Sequence, residues 1–90
     1  MYAEGTRNTA GPLLIHTLAN HIGHARLGLS VPRRVGNAIV RNTIKRRCRE
    51  AFRNSLDTLP NDLDILITVR PHEPMKMQEY ASLLYQGVST

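Results

Sequence analysis

The sequence predicts an α+β fold, a small sandwich of strands and helices, and three patterns carry that prediction. Residues 12–20 are rich in strand formers, and residues 25–31 alternate apolar and polar side chains, as a strand half-covered by a core does. Residues 63–70, LDILITVR, are almost continuously apolar, the pattern of a central strand covered on both faces. Residues 38–55, and the stretch that follows Pro74, repeat apolar residues at helical spacing. A chain of 90 residues suits one domain spanning 1–90, with a single modest core.

Each element follows from its own residues. The opening, MYAEGTRNTAG, is polar and carries no strand pattern. In PLLIHTLAN, Leu14, His16 and Leu18 share one face, and Leu13, Ile15 and Thr17 the other. HIGH, residues 21–24, reads as a turn. In ARLGLSV, Leu27, Leu29 and Val31 face a core while Arg26, Gly28 and Ser30 share the opposite face. Two strands joined by so short a link are expected to pair antiparallel. Pro32 ends the second, and Asn37 is placed to cap the helix that starts at Ala38. On that helix Val40, Ile44, Cys48, Ala51 and Phe52 fall within one arc. Asp57, Pro60 and Asn61 mark the following loop, and Pro74 is suited to the first position of a last helix. There Met77, Tyr80, Ala81 and Leu84 form the inward face, and the final GVST is expected to fray. A helix between two strands of one sheet has a right-handed crossover by default.

Charge is unevenly distributed. The formal net charge is +5, but residues 33–53 hold eight bases against one acid, net +7. The rest of the chain has four bases and six acids, net −2. A basic patch on a slightly acidic body points to a polyanionic partner, whereas a face that serves only solubility mixes both signs. On the helical wheel Arg41, Lys45, Arg49 and Arg53 step by four into one row. Asn42 and Arg46 lie beside it, and Arg47 lies on the other flank near the apolar arc. The cationic face runs for about 25 Å at a helical rise of 1.5 Å per residue. Cations spaced at i and i+4 repel, so an anion that relieves the repulsion is implied. Arginine outnumbers lysine, which suits bidentate contact with phosphate. Asn42 can donate to one oxygen and accept from a ribose 2′-hydroxyl, which a cation cannot do.

Other chemistries are poorly served. His21 and His24 form an HxxH pair in a turn without further metal ligands, so no metal is expected on the protein. Cys48, the single cysteine, falls on the core arc and reads as a buried thiol rather than a nucleophile; it also rules out an internal disulfide. Met75 and Met77 read as a helix start and core residue. Asp62 and Asp64 end a loop and lack a third ligand. No apolar run approaches the roughly 20 residues that cross a bilayer, and no secretory signal opens the chain, so a cytosolic protein without membrane attachment is expected. The aromatics Tyr2, Phe52, Tyr80 and Tyr85 do not make a base-stacking platform of the RRM kind. A helix that reads the DNA major groove is the alternative, but a row of cations without a base-reading cluster favours backbone and shape recognition, and with it folded RNA.

VPRRVGNAIVRNTIKRRCREAFR closely resembles the signature segment of the bacterial ribonuclease P protein component, in which a basic Arg-Asn helix follows a strand and a Val-Gly-Asn loop. The flanking strands AGPLLIHTLAN, ARLGLSVP and LDILITVRP extend the resemblance from about Gly5 to Leu84. The resemblance implies a mixed four-stranded sheet, a left-handed βαβ crossover through the basic helix (against the default hand) and a C-terminal helix. It implies an accessory subunit that binds a catalytic RNA, in 1:1 ratio, and helps it remove the 5′ leader of precursor tRNA. The RNA and its Mg²⁺ carry out the hydrolysis, and no catalytic residue is expected in this chain. Contacts to the catalytic RNA are implied for Arg41, Asn42, Lys45, Arg46, Arg49 and Arg53, with Arg33 and Arg34 at the edge of that surface. His16, Arg26 and Ser30 are implied on the sheet side of a cleft for the single-stranded leader. The chain departs from the family twice. Thr43 stands where the family has a second arginine, with Arg47 the nearest replacement. Met1 and Tyr2 stand about where a basic N-terminal helix should end, so one wall of the leader cleft is expected to be missing. Two other readings share the basic helix: a structural rRNA-binding protein of the ribosome, and a protein-only nuclease, which would need clustered carboxylates.

Overall fold

The structure, a computed structural model, describes residues 6–59 and 62–89. The elements run β1 (Thr6–Ala10), β2 (Leu13–Ala19), β3 (Arg26–Ser30), α1 (Ala38–Asn54), β4 (Leu63–Val69) and α2 (Met77–Ser89). Single 3-10 turns at Arg33–Val35 and Leu56–Thr58 flank α1. The four strands form one mixed sheet in the order β1-β2-β4-β3. β1 and β4 both pair antiparallel with β2, while β3 and β4 are parallel.

The topology corrects two expectations. Residues 6–10, read as a polar opening, are β1: TRNTA has no apolar alternation, but the tight turn at Gly11 (φ 57°) folds it back on β2. Its one core residue, Ala10, is buried. The expected β2–β3 antiparallel pair does not form, because β4 lies between them. Residues 20–25 are held as a wider loop instead. Asn20, itself buried, accepts from the Ile22 amide (3.1 Å) and donates to the His24 carbonyl (3.2 Å) and to Asp64 (2.8 Å). The most apolar strand takes the central place and pairs on both edges.

β4 is central but covered on one face only. Ile65, Ile67 and Val69 are buried, whereas Leu66 on the other face is 42% exposed. Both helices pack on the same side: α2 on β1 and β2, α1 on β3, and each on the other. Ile44, Cys48 and Ala51 of α1 meet Tyr80 and Leu84 of α2 and Leu13, Ile15, Ile65, Ile67 and Val69 of the sheet in one core. Each fully buried aliphatic side chain contributes about 1.5–3 kcal/mol. Val40, Phe52, Met77 and Ala81 complete the two helical stripes as half-buried neighbours.

α2 starts at Met77 rather than near Pro74. The Lys76 carbonyl accepts from the Glu79 and Tyr80 amides, and the Lys76 amide donates to Glu79 Oε1 at 3.3 Å, one half of a capping box. The helix continues through Gly87 to Ser89, and Thr90 lies outside the described residues. Gly87 is buried against β2, where a Cβ would collide with Ile15, and its carbonyl accepts from Asn8 Nδ2 at 2.8 Å. A residue with no side chain lets α2 sit directly on the sheet.

Candidate nucleic-acid interface

The basic helix is held at its start by the turn before it. Val35 is buried and pins the 3-10 turn, leaving Arg33 and Arg34 exposed beside the helix N-terminus. Gly36 must be small, since a Cβ there would stand 2.9 Å from Val40 Cγ1. The Asn37 side chain accepts from the Val40 amide at 2.9 Å, the cap its position predicted. These contacts explain the run Val35-Gly36-Asn37 as an anchor, a close approach and a cap.

From that start α1 displays its cations in two grades. Arg41 is half-buried and donates through Nε to the Gly36 carbonyl at 3.1 Å, and Lys45 is half-buried too. Asn42, Arg46, Arg49 and Arg53 are exposed, and among the described residues none of the four side chains has a hydrogen bond or ion pair. The described residues contain one salt bridge, Arg26 to Asp64, so Glu50 neutralises no neighbour on α1. Arg46, Arg49 and Arg53 thus face outward without a partner, and no ion pair within α1 relieves the repulsion along the row.

Two side chains differ from expectation. The Thr43 hydroxyl donates to the Ile39 carbonyl at 2.9 Å and is spent within the helix. Arg47 does not replace the missing cation: it is half-buried, and Nη1 donates to the Met75 carbonyl at 2.9 Å, tying α1 to the segment before α2.

The uncovered face of the sheet is a second candidate surface. The pairing registers place Arg7, His16, Leu66 and Gly28 in one row across all four strands. Leu18, Asp64 and Arg26 lie in the row on one side of it, and Leu14, Thr68 and Ser30 on the other. A groove of about 440 Å³ is lined by His16, Leu18, Arg26, Gly28, Asp64 and Leu66. His16 Nε2 is buried without a hydrogen-bond partner there, while Ser30 is exposed at the sheet margin. Arg26 is ion-paired on this face: Nε and Nη2 donate to Asp64 Oδ1 and Oδ2 at 2.7 and 2.6 Å. That contact and the one from Asn20 hold the Asp64 carboxyl down at about 2. Asp64 is therefore an integral strand residue, not the end of a loop. Arg7 joins this face unforeseen, since TRNTA carries no apolar rhythm that marks a strand.

The competing sites gain little. Among the described residues no three His, Cys, Asp or Glu side chains gather into a metal site. Cys48 is 1% exposed, and burial pushes its thiol up to about 12, which suits the core and not a nucleophile. No helix among the described residues is long and apolar enough to cross a membrane.

The Ribonuclease P family model matches residues 1–88. The chain belongs to the Ribonuclease P family. Among curated relatives, the ribonuclease P protein component of Streptococcus pneumoniae (strain Hungary19A-6) is 37% identical over 70 residues, which is 78% of this chain. The chain spans 57% of that relative's length. The RNase P protein from Thermotoga maritima, solved in complex with 1-(4-fluorophenyl)-2-thiourea, superposes with a TM-score of 0.82 at 27% identity, over 92% of this chain and 82% of its own. The Staphylococcus aureus RNase P protein superposes with a TM-score of 0.76 at 31% identity, over 94% and 79%. The four-stranded mixed sheet with two helices is thus the ribonuclease P protein fold, and these relatives lend no support to the ribosomal reading. Met1 and Tyr2, where the resemblance implies that an N-terminal helix ends, lie outside the described residues.

Proposed function

We propose that this chain is the RNA-binding protein subunit of ribonuclease P, assisting a catalytic RNA in removing the 5′ leader from precursor tRNA. The observation that carries this reading is the outward, unpaired row on α1. Arg46, Arg49 and Arg53 are exposed without a carboxylate partner, and Arg41 and Lys45 extend the row toward Arg33 and Arg34. Fixed cations on a rigid helix screen the repulsion between RNA segments that must approach one another, and they cost no reorganisation when the RNA docks. Asn42 lies exposed among them with both amide groups available to a ribose hydroxyl and a phosphate.

The chemistry of hydrolysis belongs to the RNA in this reading. The RNA and its Mg²⁺ would supply the hydrolysis, the protein would bind in a 1:1 ratio, and no side chain of this chain would enter the reacting centre. The core thiol of Cys48 and the ion-paired Asp64 fit that division, since neither is available as a base or metal ligand. The open sheet face is assigned to the single-stranded leader. His16 supports this with a buried nitrogen lacking a partner, and Leu18 and Leu66 with exposed apolar surface on which an unstacked base can rest. Ser30 and Arg7 lie on the same face, while Arg26 reaches a phosphate only with the guanidinium nitrogen left over from Asp64. A cytosolic setting follows from that substrate.

Reconstitution tests the reading. Purified protein added to ribonuclease P RNA raises cleavage of precursor tRNA at low Mg²⁺, where the RNA alone is slow. Unchanged cleavage would overturn the proposal, and cleavage by the protein without any RNA would replace it with a protein-only nuclease.

A further inference from the structure

A groove of about 590 Å³ opens between the C-terminal half of α1 and β3, at the edge of the sheet, where Arg26 also borders it. Its floor is apolar, made by Leu27 and Leu29 of β3, Phe52 of α1 and Leu56 of the following turn, and its rim carries Arg49 and Arg53. Leu56 is 42% exposed, and β3 has no strand on its outer edge. Phosphate recognition alone needs no such floor.

We propose that this groove receives one unstacked nucleotide of the bound RNA, its base against Leu27, Leu29, Phe52 and Leu56 and its flanking phosphates on Arg49 and Arg53. The inference rests on the RNA-binding reading and extends it from charge to shape. Arg49 and Arg53 continue the row begun by Arg41 and Lys45, each step being about 6 Å along the helix axis. A sugar-phosphate chain following that row is led to the groove. Neither arginine has a carboxylate partner among the described residues, so an anion is not competing with the protein's own acids. The volume lies within the range of about 300–1,000 Å³ usual for small-ligand sites. Contact between a base and an aromatic and aliphatic floor is tolerant of base identity and adds affinity that salt does not screen.

The test uses the full chain with labelled leucine methyl groups, titrated with a hexaadenylate oligonucleotide. Methyl signals of Leu27, Leu29 and Leu56 shift with hexaadenylate and stay put with an abasic ribose-phosphate hexamer of equal charge. Equal shifts with the abasic hexamer would overturn the base site, and so would a hexaglutamate peptide that moves these methyls when hexaadenylate does not. With ribonuclease P RNA, Leu56→Ser weakens binding about tenfold while the slope of log affinity against log salt is unchanged. Leu56→Ala reproduces the direction with a smaller perturbation of the turn. Wild-type affinity for both variants would sink the groove alone; a wild-type slope near zero would sink the RNA-binding reading itself.

Discussion

Arg26 grips both carboxylate oxygens of Asp64 across the parallel β3–β4 pair, Nε to Oδ1 at 2.7 Å and Nη2 to Oδ2 at 2.6 Å. The pair neutralises the acid that would otherwise face an incoming phosphate on the open sheet. Its pH dependence follows from the depressed carboxyl, from an ordinary 3.8 to about 2, caused first by the Arg26 hydrogen bond and then by that of Asn20. A depressed acid stabilises the fold above its unfolded value, and that stability is lost as pH falls from about 4 toward 2. Urea midpoints measured across this window should fall for the wild type and flatten in Asp64→Asn. A slope that Asp64→Asn leaves intact would assign the acid sensitivity elsewhere.

Freeing the Arg26 guanidinium has a second consequence. Asp64→Asn removes one negative charge from the open face, so binding of a single-stranded oligonucleotide should tighten and its salt slope should steepen by about 0.7, the single-strand increment for one more phosphate. Fluorescence anisotropy at several salt concentrations reads this directly. Weaker binding would show that Asp64 positions Arg26 for the nucleic acid rather than occupying it.

Arg46 and Cys48 stand on opposite sides of α1 and should separate binding from stability. Arg46→Ala leaves the urea midpoint within experimental scatter, weakens RNA binding and reduces the salt slope by about 0.7–0.9. Cys48→Ala leaves the slope alone and costs about 1 kcal/mol of stability through a small cavity in the core. Loss of both properties in either variant would contradict this division.

Tyr80 anchors the segment between β4 and α2. The Arg70 carbonyl can only accept, so His72 Nδ1 carries the proton and Nε2 accepts from the Tyr80 hydroxyl at 2.8 Å. The Tyr80 oxygen in turn accepts from the Met75 amide at 3.1 Å, and Arg47 holds the Met75 carbonyl. Tyr80→Phe should therefore cost about 1–3 kcal/mol. Amide exchange at Met75 should accelerate more than exchange in β4; uniform acceleration would mean that the hydroxyl network does not hold this segment.

Gly87 sets how closely α2 approaches β2. Gly87→Ala should cost about 1–3 kcal/mol by forcing the Ile15 contact apart. Ile15→Val in the same chain should recover part of that loss, a coupling that a double-mutant cycle measures. Simple additivity would place the strain somewhere other than this contact.

Much of this was legible in the residues themselves. The core stripes of α1 and α2, the inward face of β3 and the Asn37 cap follow from period and capping chemistry, which act locally. β1 was hidden because Thr6-Arg7-Asn8-Thr9 has no apolar rhythm and becomes a strand only by pairing with β2. The central place of β4 was legible in its nearly continuous apolar run, but Leu66 in that run hid the uncovered face. At the interface, wheel geometry placed Arg46, Arg49 and Arg53 outward. It could not show that Arg47 is drawn to the Met75 carbonyl or Arg26 to Asp64, since both partners lie far away in the chain.

The central claim is that α1 holds an RNA by its phosphates. The most direct measurement is the affinity for ribonuclease P RNA as a function of monovalent salt. If the row neutralises about five phosphates, log affinity falls linearly with log salt at a slope of about −3.5 to −4.5. A slope near zero, with binding retained, would contradict it.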